Sequence, residues 1–138
     1  MNLSELFDDL VRVEIVLWDA VDRRLRAEVG LPLGRVEALR VVATSDPCRV
    51  QDVAVSLRIT VGAASKLTDR LVTGGLVERR AHPTDRRSSL LRATETGEQA
   101  HAAATVAIED ELGRLLHDDD VAGLRPVVAG LRARLAPR

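Results

Sequence analysis

At 138 residues with 46% hydrophobic side chains, the chain is sized for one domain with a core of its own, without help from disulfides or a structural metal. One cysteine, Cys48, excludes an internal disulfide; no apolar run approaches a membrane span and the N-terminus lacks a signal-peptide layout, so a cytoplasmic protein is expected. The net charge of −1 lacks the globally basic signature of many nucleic-acid binders, but residues 1–47 carry −3, residues 48–97 carry +4 and residues 98–138 carry −2, which favours an anionic partner at the middle.

Leu3, Phe7, Leu10, Leu17, Val21 and Leu25 recur at intervals of three, four or seven and predict one long amphipathic helix over residues 3–25. Gly30 stops it. Leu31-Pro32-Leu33 restarts the chain into a second helix through Val36, Leu39, Val42 and Ala43, which Ser45-Asp46-Pro47 ends. Cys48 reads as a small buried hydrophobe, with redox sensing as the rival role. With one Trp, one Phe and no Tyr, the core must come from Leu, Val, Ile and Ala, a composition that suits helices packed on helices.

Residues 50–57 predict a short helix, Arg58-Ile59-Thr60 a turn, and residues 61–73 another helix, with Thr60 as N-cap and Gly74-Gly75 as the stop. On a helical wheel Ala64, Leu67 and Leu71 share one face of that second helix, while Gly62, Ser65, Lys66, Asp69 and Thr73 share the other. The outward face is small and polar with one cation, which suits a helix entering a major groove. Ser65 can meet a base edge, Lys66 a guanine or a phosphate, and Gly62 or Ala63 permits close approach near the helix N-terminus. Asp69 would repel phosphate and is expected to pair with Arg70 or with an arginine of the next segment. Plain solvent exposure of this face is the rival reading.

Residues 76–81 and 88–94 alternate apolar with charged or polar side chains on either side of a Pro-Asp turn, the pattern of a β-hairpin. Arg79, Arg80, Arg86 and Arg87 crowd its solvent end, with His82 among them, and four guanidinium groups at one tip call for an anion. Two short helices joined by a tight turn and followed by a hairpin outline a helix-turn-helix with a wing. Beyond it, Thr96-Gly97-Glu98-Gln99 has the spacing of a capping box and opens an Ala-rich helix to about Leu116. Asp118-Asp119-Asp120 then complements the N-terminal end of a last helix, striped by Val121, Leu124, Val128, Leu131 and Leu135. Three terminal helices with wide apolar stripes must bury them on one another or on a second copy, so homodimerisation is expected and a monomeric bundle is the alternative.

Helix and hairpin together carry a specific resemblance. Asp85, Arg87, Leu91 and Thr94, followed by Gly97, match the wing pattern D-x-R-x-x-x-L-x-L-T and then Gly; Asp69-Arg70-Leu71 and Gly75-Leu76-Val77-Glu78-Arg79 match the approach to it. The chain thereby resembles the MarR family of winged helix-turn-helix transcription regulators over nearly its whole length. Ala93 departs from the family's usual Leu, leaving less apolar volume under the wing, and Gly62 gives the recognition helix no side chain to read with at that position. The resemblance implies that Arg87, with Arg86 beside it, reaches into the minor groove while Asp85 holds the loop in shape. A narrow minor groove concentrates negative potential that attracts guanidinium, although contact with phosphate alone would give affinity without sequence preference. It also implies a small ligand bound between the dimer helices and the DNA-binding lobe, where Trp18 is the one large aromatic nearby, against its more ordinary role in packing.

The chain is therefore expected to be mainly α with a small β-wing, α+β only in that minor sense. Within a single domain of residues 1–138, residues 32–97 form the DNA-binding lobe, and residues 1–29 and 98–138 the helical dimerisation region. Its expected partners are pseudo-palindromic double-stranded operator DNA, a second copy and a small-molecule effector, with no cofactor, metal or membrane. Thr60, Gly62, Ala63, Ser65, Lys66, Arg70, Arg86 and Arg87 are the DNA-binding candidates, with Asp85 and Asp69 stabilising the wing and Trp18 a ligand candidate. The expected function is a ligand-responsive repressor; a helix-turn-helix interaction module without DNA is the alternative. No catalytic role is expected: His82, His101 and His117 form no metal-binding or Cys-His pattern, and a Ser88, His101, Asp110 triad has no local motif behind it.

Overall fold

A computed structural model describes residues 2–85 and 88–137. The chain runs α1 (Leu3–Glu28), α2 (Leu33–Thr44), α3 (Val50–Leu57), α4 (Val61–Thr73), β1 (Val77–Ala81), β2 (Ser89–Ala93), α5 (Glu95–Leu115) and α6 (Asp118–Leu135). It is mainly helical, as expected, with one small antiparallel sheet. Asn2 caps α1 by accepting from Ser4 N at 3.0 Å. The helix outlasts its expected end at residue 25 by three residues, through Glu28, with Arg26 paired to Asp22 at 2.9 Å in the extended turn. Asp22 also reaches across to α2, whose N-cap Pro32 offers no side-chain acceptor, and accepts from Leu33 N at 2.8 Å. That backbone hydrogen bond is the first reason the Asp22 carboxyl lies below its ordinary pKa; Arg26 adds to the effect while burial opposes it.

Two apolar clusters hold the chain together. Ala38, Leu39, Val41, Val42, Cys48, Val53, Ala54, Ala64, Leu71, Val77 and Leu91 form the core of the helix-turn-helix and hairpin. Val21, Leu25, Leu33 and Val36 meet Ala104 and Ala107 where α1, α2 and α5 cross. α5 serves both, since Ala100 packs on the first cluster and Ala104 lies in the second.

The hairpin pairs Val77 with Ala93, Arg79 with Leu91 and Ala81 with Ser89, so its strands are about a residue shorter at the outer ends than the sequence pattern suggests. Cys48 flanks β2 through an isolated bridge, with Leu91 N donating to Cys48 O at 2.8 Å.

α5 does not start from the capping box expected at Thr96. Thr94 is its N-cap, accepting from Gly97 N at 3.0 Å, and places Thr96 within the first turn. The reason is tertiary. Thr94 N donates to Leu76 O at 3.0 Å and its hydroxyl donates to Gly75 O at 2.7 Å, so the residue is held extended against the loop before β1 and the helix begins immediately after it. Gly97 permits this approach: a Cβ there would lie 1.9 Å from Leu76 O.

α6 follows with Asp118, Asp119 and Asp120 in its first turn, as anticipated, and with Pro126 inside it, where one intrahelical N–H is missing. None of its described residues is buried.

Candidate nucleic-acid interface

The turn between α3 and α4 is set by Arg58, which closes α3 in the left-handed conformation at φ 56°. Ile59 N then donates to Ala54 O at 3.0 Å, bringing Thr60 to the head of α4. Thr60 caps α4 as the sequence predicts, accepting from Ala63 N at 3.1 Å. Ala64 and Leu71 are buried, Leu67 is partly so, and Thr68 joins them with its hydroxyl donated to Ala64 O at 2.8 Å. The opposite face exposes Gly62, Ala63, Lys66, Asp69, Arg70 and Thr73, while Ser65 is half-buried. Neither Lys66 nor Arg70 has an ion-pair partner among the described residues.

Asp69 pairs with Arg79 of β1, tying the outward face of α4 to the hairpin. Arg80 pairs with Glu78 at 2.8 Å on the other face of the strand. The four guanidinium groups counted at the tip are thus not equivalent: Arg79 and Arg80 already have carboxylate partners within the fold. Period-two alternation separates them, with Arg79 turned to α4 and Arg80 beside its i−2 neighbour Glu78. Arg86 and Arg87 lie outside the described residues. The loop that carries them is closed at its base by His82 N donating to Ser88 O and by Ser88 N donating to Asp85 O, each at 3.2 Å. Asp85 contributes its backbone N–H as well, donated to His82 Nδ1 at 3.0 Å.

Arg49 was missed by pattern reasoning. It sits at the N-cap of α3, with its own N–H donated to Asp52 at 2.8 Å, and its guanidinium reaches His82 at the base of the wing loop at 2.7 Å. The Asp three residues on was the available sign of a helix start, but only the Cys48–Leu91 bridge brings that start against the wing. Cys48 itself is 1% exposed. Burial, with Asp52 nearby, pushes its thiol up to about 11, so at neutral pH it carries no thiolate and behaves as core.

Trp18 lies away from the interface, 44% exposed on α1, in a surface depression with Glu14, Ile15 and Asp19 of the same helix. No group of three or more His, Cys, Asp or Glu capable of holding a metal occurs among the described residues.

Comparison with known proteins places this geometry. The MarR family model matches residues 29–88. The multiple antibiotic resistance protein MarR of Escherichia coli (strain K12) is 34% identical over 133 residues, spanning 89% of this chain and 92% of that protein. Among solved structures, a mutant Escherichia coli MarR complexed with operator DNA aligns with a TM-score of 0.73 at 25% identity, covering 95% of this chain and 99% of that one. CouR from Rhodococcus jostii RHA1 bound to p-coumaroyl-CoA aligns with a TM-score of 0.77 at 25% identity, covering 94% and 91%. A capped helix with a small outward face, an arginine-bearing hairpin behind it and identity running almost end to end agree: the chain belongs to the MarR family of winged helix-turn-helix transcription regulators.

Proposed function

We propose that this protein is a homodimeric, sequence-specific DNA-binding repressor that acts in the cytoplasm and responds to a small ligand. The observation that carries the DNA-binding part is the exposed face of α4, small residues plus the cations Lys66 and Arg70, beside a loop bearing Arg86 and Arg87. Residues 32–97 act as the DNA-binding lobe, and residues 1–29 and 98–138 as the dimerisation region.

In this reading Thr60, Gly62, Ala63, Ser65, Lys66 and Arg70 face the major groove. Arg86 and Arg87 enter the flanking minor groove, with Asp85 and the Asp69–Arg79 pair steadying the wing. Two copies set their recognition helices about 34–36 Å apart, one helical turn, on a pseudo-palindromic operator. The copies are joined through the apolar faces left open on α1 and α6, where Phe7, Leu10, Leu124 and Val128 are exposed. Ligand response is supported by the CouR complex and requires that the ligand prefer one spacing of the two lobes. Trp18 is a candidate for contact with it.

Selection from random duplex DNA, followed by titration of the selected duplex at several salt concentrations, tests the proposal. Lys66→Ala and the pair Arg86→Ala and Arg87→Ala should each weaken binding and flatten its salt dependence, by roughly 0.9 in log–log slope for each phosphate no longer neutralised. Variants that bind like the parent across the salt series would remove those residues from the interface. Thermal shift with a phenolic and lipophilic panel, repeated on Trp18→Ala, tests the ligand role in the same way.

A further inference from the structure

His82 stands between two sets of hydrogen-bond donors. The backbone N–H groups of Thr84 and Asp85 point at its Nδ1 from 3.2 and 3.0 Å, and the Thr84 hydroxyl lies 3.3 Å from the same atom. On the other side of the ring, Nε2 lies 2.7 Å from the Arg49 guanidinium. A guanidinium has only donors, and a neutral imidazole has one acceptor nitrogen at a time. Both contacts therefore cannot be hydrogen bonds together. With the proton on Nε2, Nδ1 accepts the two backbone groups and closes the turn at the base of the wing loop. With the proton on Nδ1, Nε2 accepts Arg49 and the turn loses its acceptor.

We infer that His82 is a positioning residue for the wing and that Arg49 is a DNA phosphate contact, the two coupled so that transfer of Arg49 from His82 to phosphate closes the wing turn. The inference rests on the DNA-binding reading above. Arg49 is exposed, its guanidinium has no carboxylate partner among the described residues, and the Cys48–Leu91 bridge fixes the start of α3 beside the loop. A phosphate outcompetes imidazole for it, because a hydrogen bond between two ionised groups is roughly twice as strong as a neutral one. Once Arg49 leaves, the imidazole keeps its proton on Nε2 and gives Nδ1 wholly to the backbone of Thr84 and Asp85. The turn from His82 to Asp85 is then closed by the same event that anchors α3.

Long-range proton–nitrogen spectra of histidine-labelled protein at pH 8 report the tautomer of His82, assigned by its loss in His82→Asn. The free parent should show both tautomers, and Arg49→Ala should leave only the form protonated on Nε2. The selected operator duplex should produce that same form in the parent. A ratio unchanged by Arg49→Ala overturns the coupling.

In operator binding, His82→Ala should lose about tenfold in affinity with its salt slope intact. His82→Asn, whose side-chain oxygen can serve the turn, should stay within about twofold of the parent. Arg49→Ala should lower the salt slope by roughly 0.9, and an unchanged slope overturns the phosphate contact. If the parent binds no duplex, the DNA reading fails and the phosphate contact with it, while the tautomer ratio in the free protein still decides the pairing of His82 with Arg49.

Discussion

The helix-turn-helix lobe and the terminal helices treat their apolar residues in opposite ways. In the lobe Leu39, Val53, Ala64, Leu71 and Val77 are each 2% exposed or less. On α6, Val121, Leu124, Val127, Val128 and Leu135 are 38–70% exposed, and on the first half of α1 Leu3, Phe7, Leu10 and Val13 are 52–73% exposed. The lobe's core is covered within the chain, with Ala100 of α5 packed on it and Val55 and Val61 left exposed, whereas the terminal helices carry long apolar stretches that the single chain leaves open. α1 contains both behaviours, since Val21 and Leu25 at its far end are buried. Apolar side chains left bare along two helices are the physical argument for a second copy.

The largest effect is expected where the two regions join. Gly97→Ala places a Cβ 1.9 Å from the Leu76 carbonyl oxygen, which is backbone and already holds Thr94 N, so neither partner can move without opening the start of α5. A loss of more than about 4 kcal/mol, the range of the most damaging single substitutions, should appear in urea unfolding. A change under about 1 kcal/mol would show that the junction is looser than described.

Truncation of leucines gives the most direct comparison of the two regions. Leu39→Ala removes a side chain that is 0% exposed and should cost about 2–5 kcal/mol at every protein concentration. Leu124→Ala removes one that is 44% exposed within the chain. Its effect should appear in sedimentation equilibrium as weaker self-association and in unfolding as a shift that depends on protein concentration. Equal, concentration-independent losses for both variants would remove the distinction between the regions.

Much of the lobe was legible because its signals are local. Thr60 before α4, the three-and-four spacing of Ala64, Leu67 and Leu71, and the alternation in β1 and β2 each report on a few neighbouring residues. The pairing of Asp69 with a hairpin arginine was one of two partners the charge pattern allowed. What escaped was decided by distant chain. Thr94 rather than Thr96 caps α5 because the carbonyls of Gly75 and Leu76 hold it. Arg49 meets His82 because Cys48 bridges Leu91. The two kinds of surface on α1 were equally hidden, since its apolar stripe runs unbroken past the point where α2 and α5 begin to cover it.

Glu111 sharpens the comparison at the base of the terminal helices. Its carboxylate accepts from Arg114 at 2.7 Å and from Arg24 of α1 at 3.2 Å. The Arg114 hydrogen bond is the main reason its pKa lies below the ordinary 4.5; burial opposes it, and the charges of Arg114 and Arg24 add to the lowering. A carboxyl depressed on folding contributes stability that is complete above pH 4.5 and is lost as pH falls through the lower folded value. Glu111→Gln lacks that contribution throughout. Its unfolding curve should lie below the parent's at neutral pH and converge with it in acid, and parallel curves would show that the pair adds no acid-labile stability.

The smallest effect belongs to the turn between α3 and α4 and tests whether the lobe is as self-contained as its burial suggests. Arg58 holds φ 56° and ψ 46°, a left-handed conformation that costs a side chain bearing a Cβ roughly 1–2 kcal/mol. Its side chain is exposed, so replacement loses little packing. Glycine would relieve the strain but add about 0.5–1 kcal/mol of unfolded-state entropy, which offsets part of the gain. Asparagine enters the left-handed region more readily without that entropy, so Arg58→Asn should stabilise by a few tenths of a kcal/mol. The gain should raise the urea midpoint with the slope unchanged and should be the same at every protein concentration, because the turn lies within the lobe. A gain that shrinks with dilution would mean that the turn is coupled to self-association, and the boundary drawn between the two regions would then have to move.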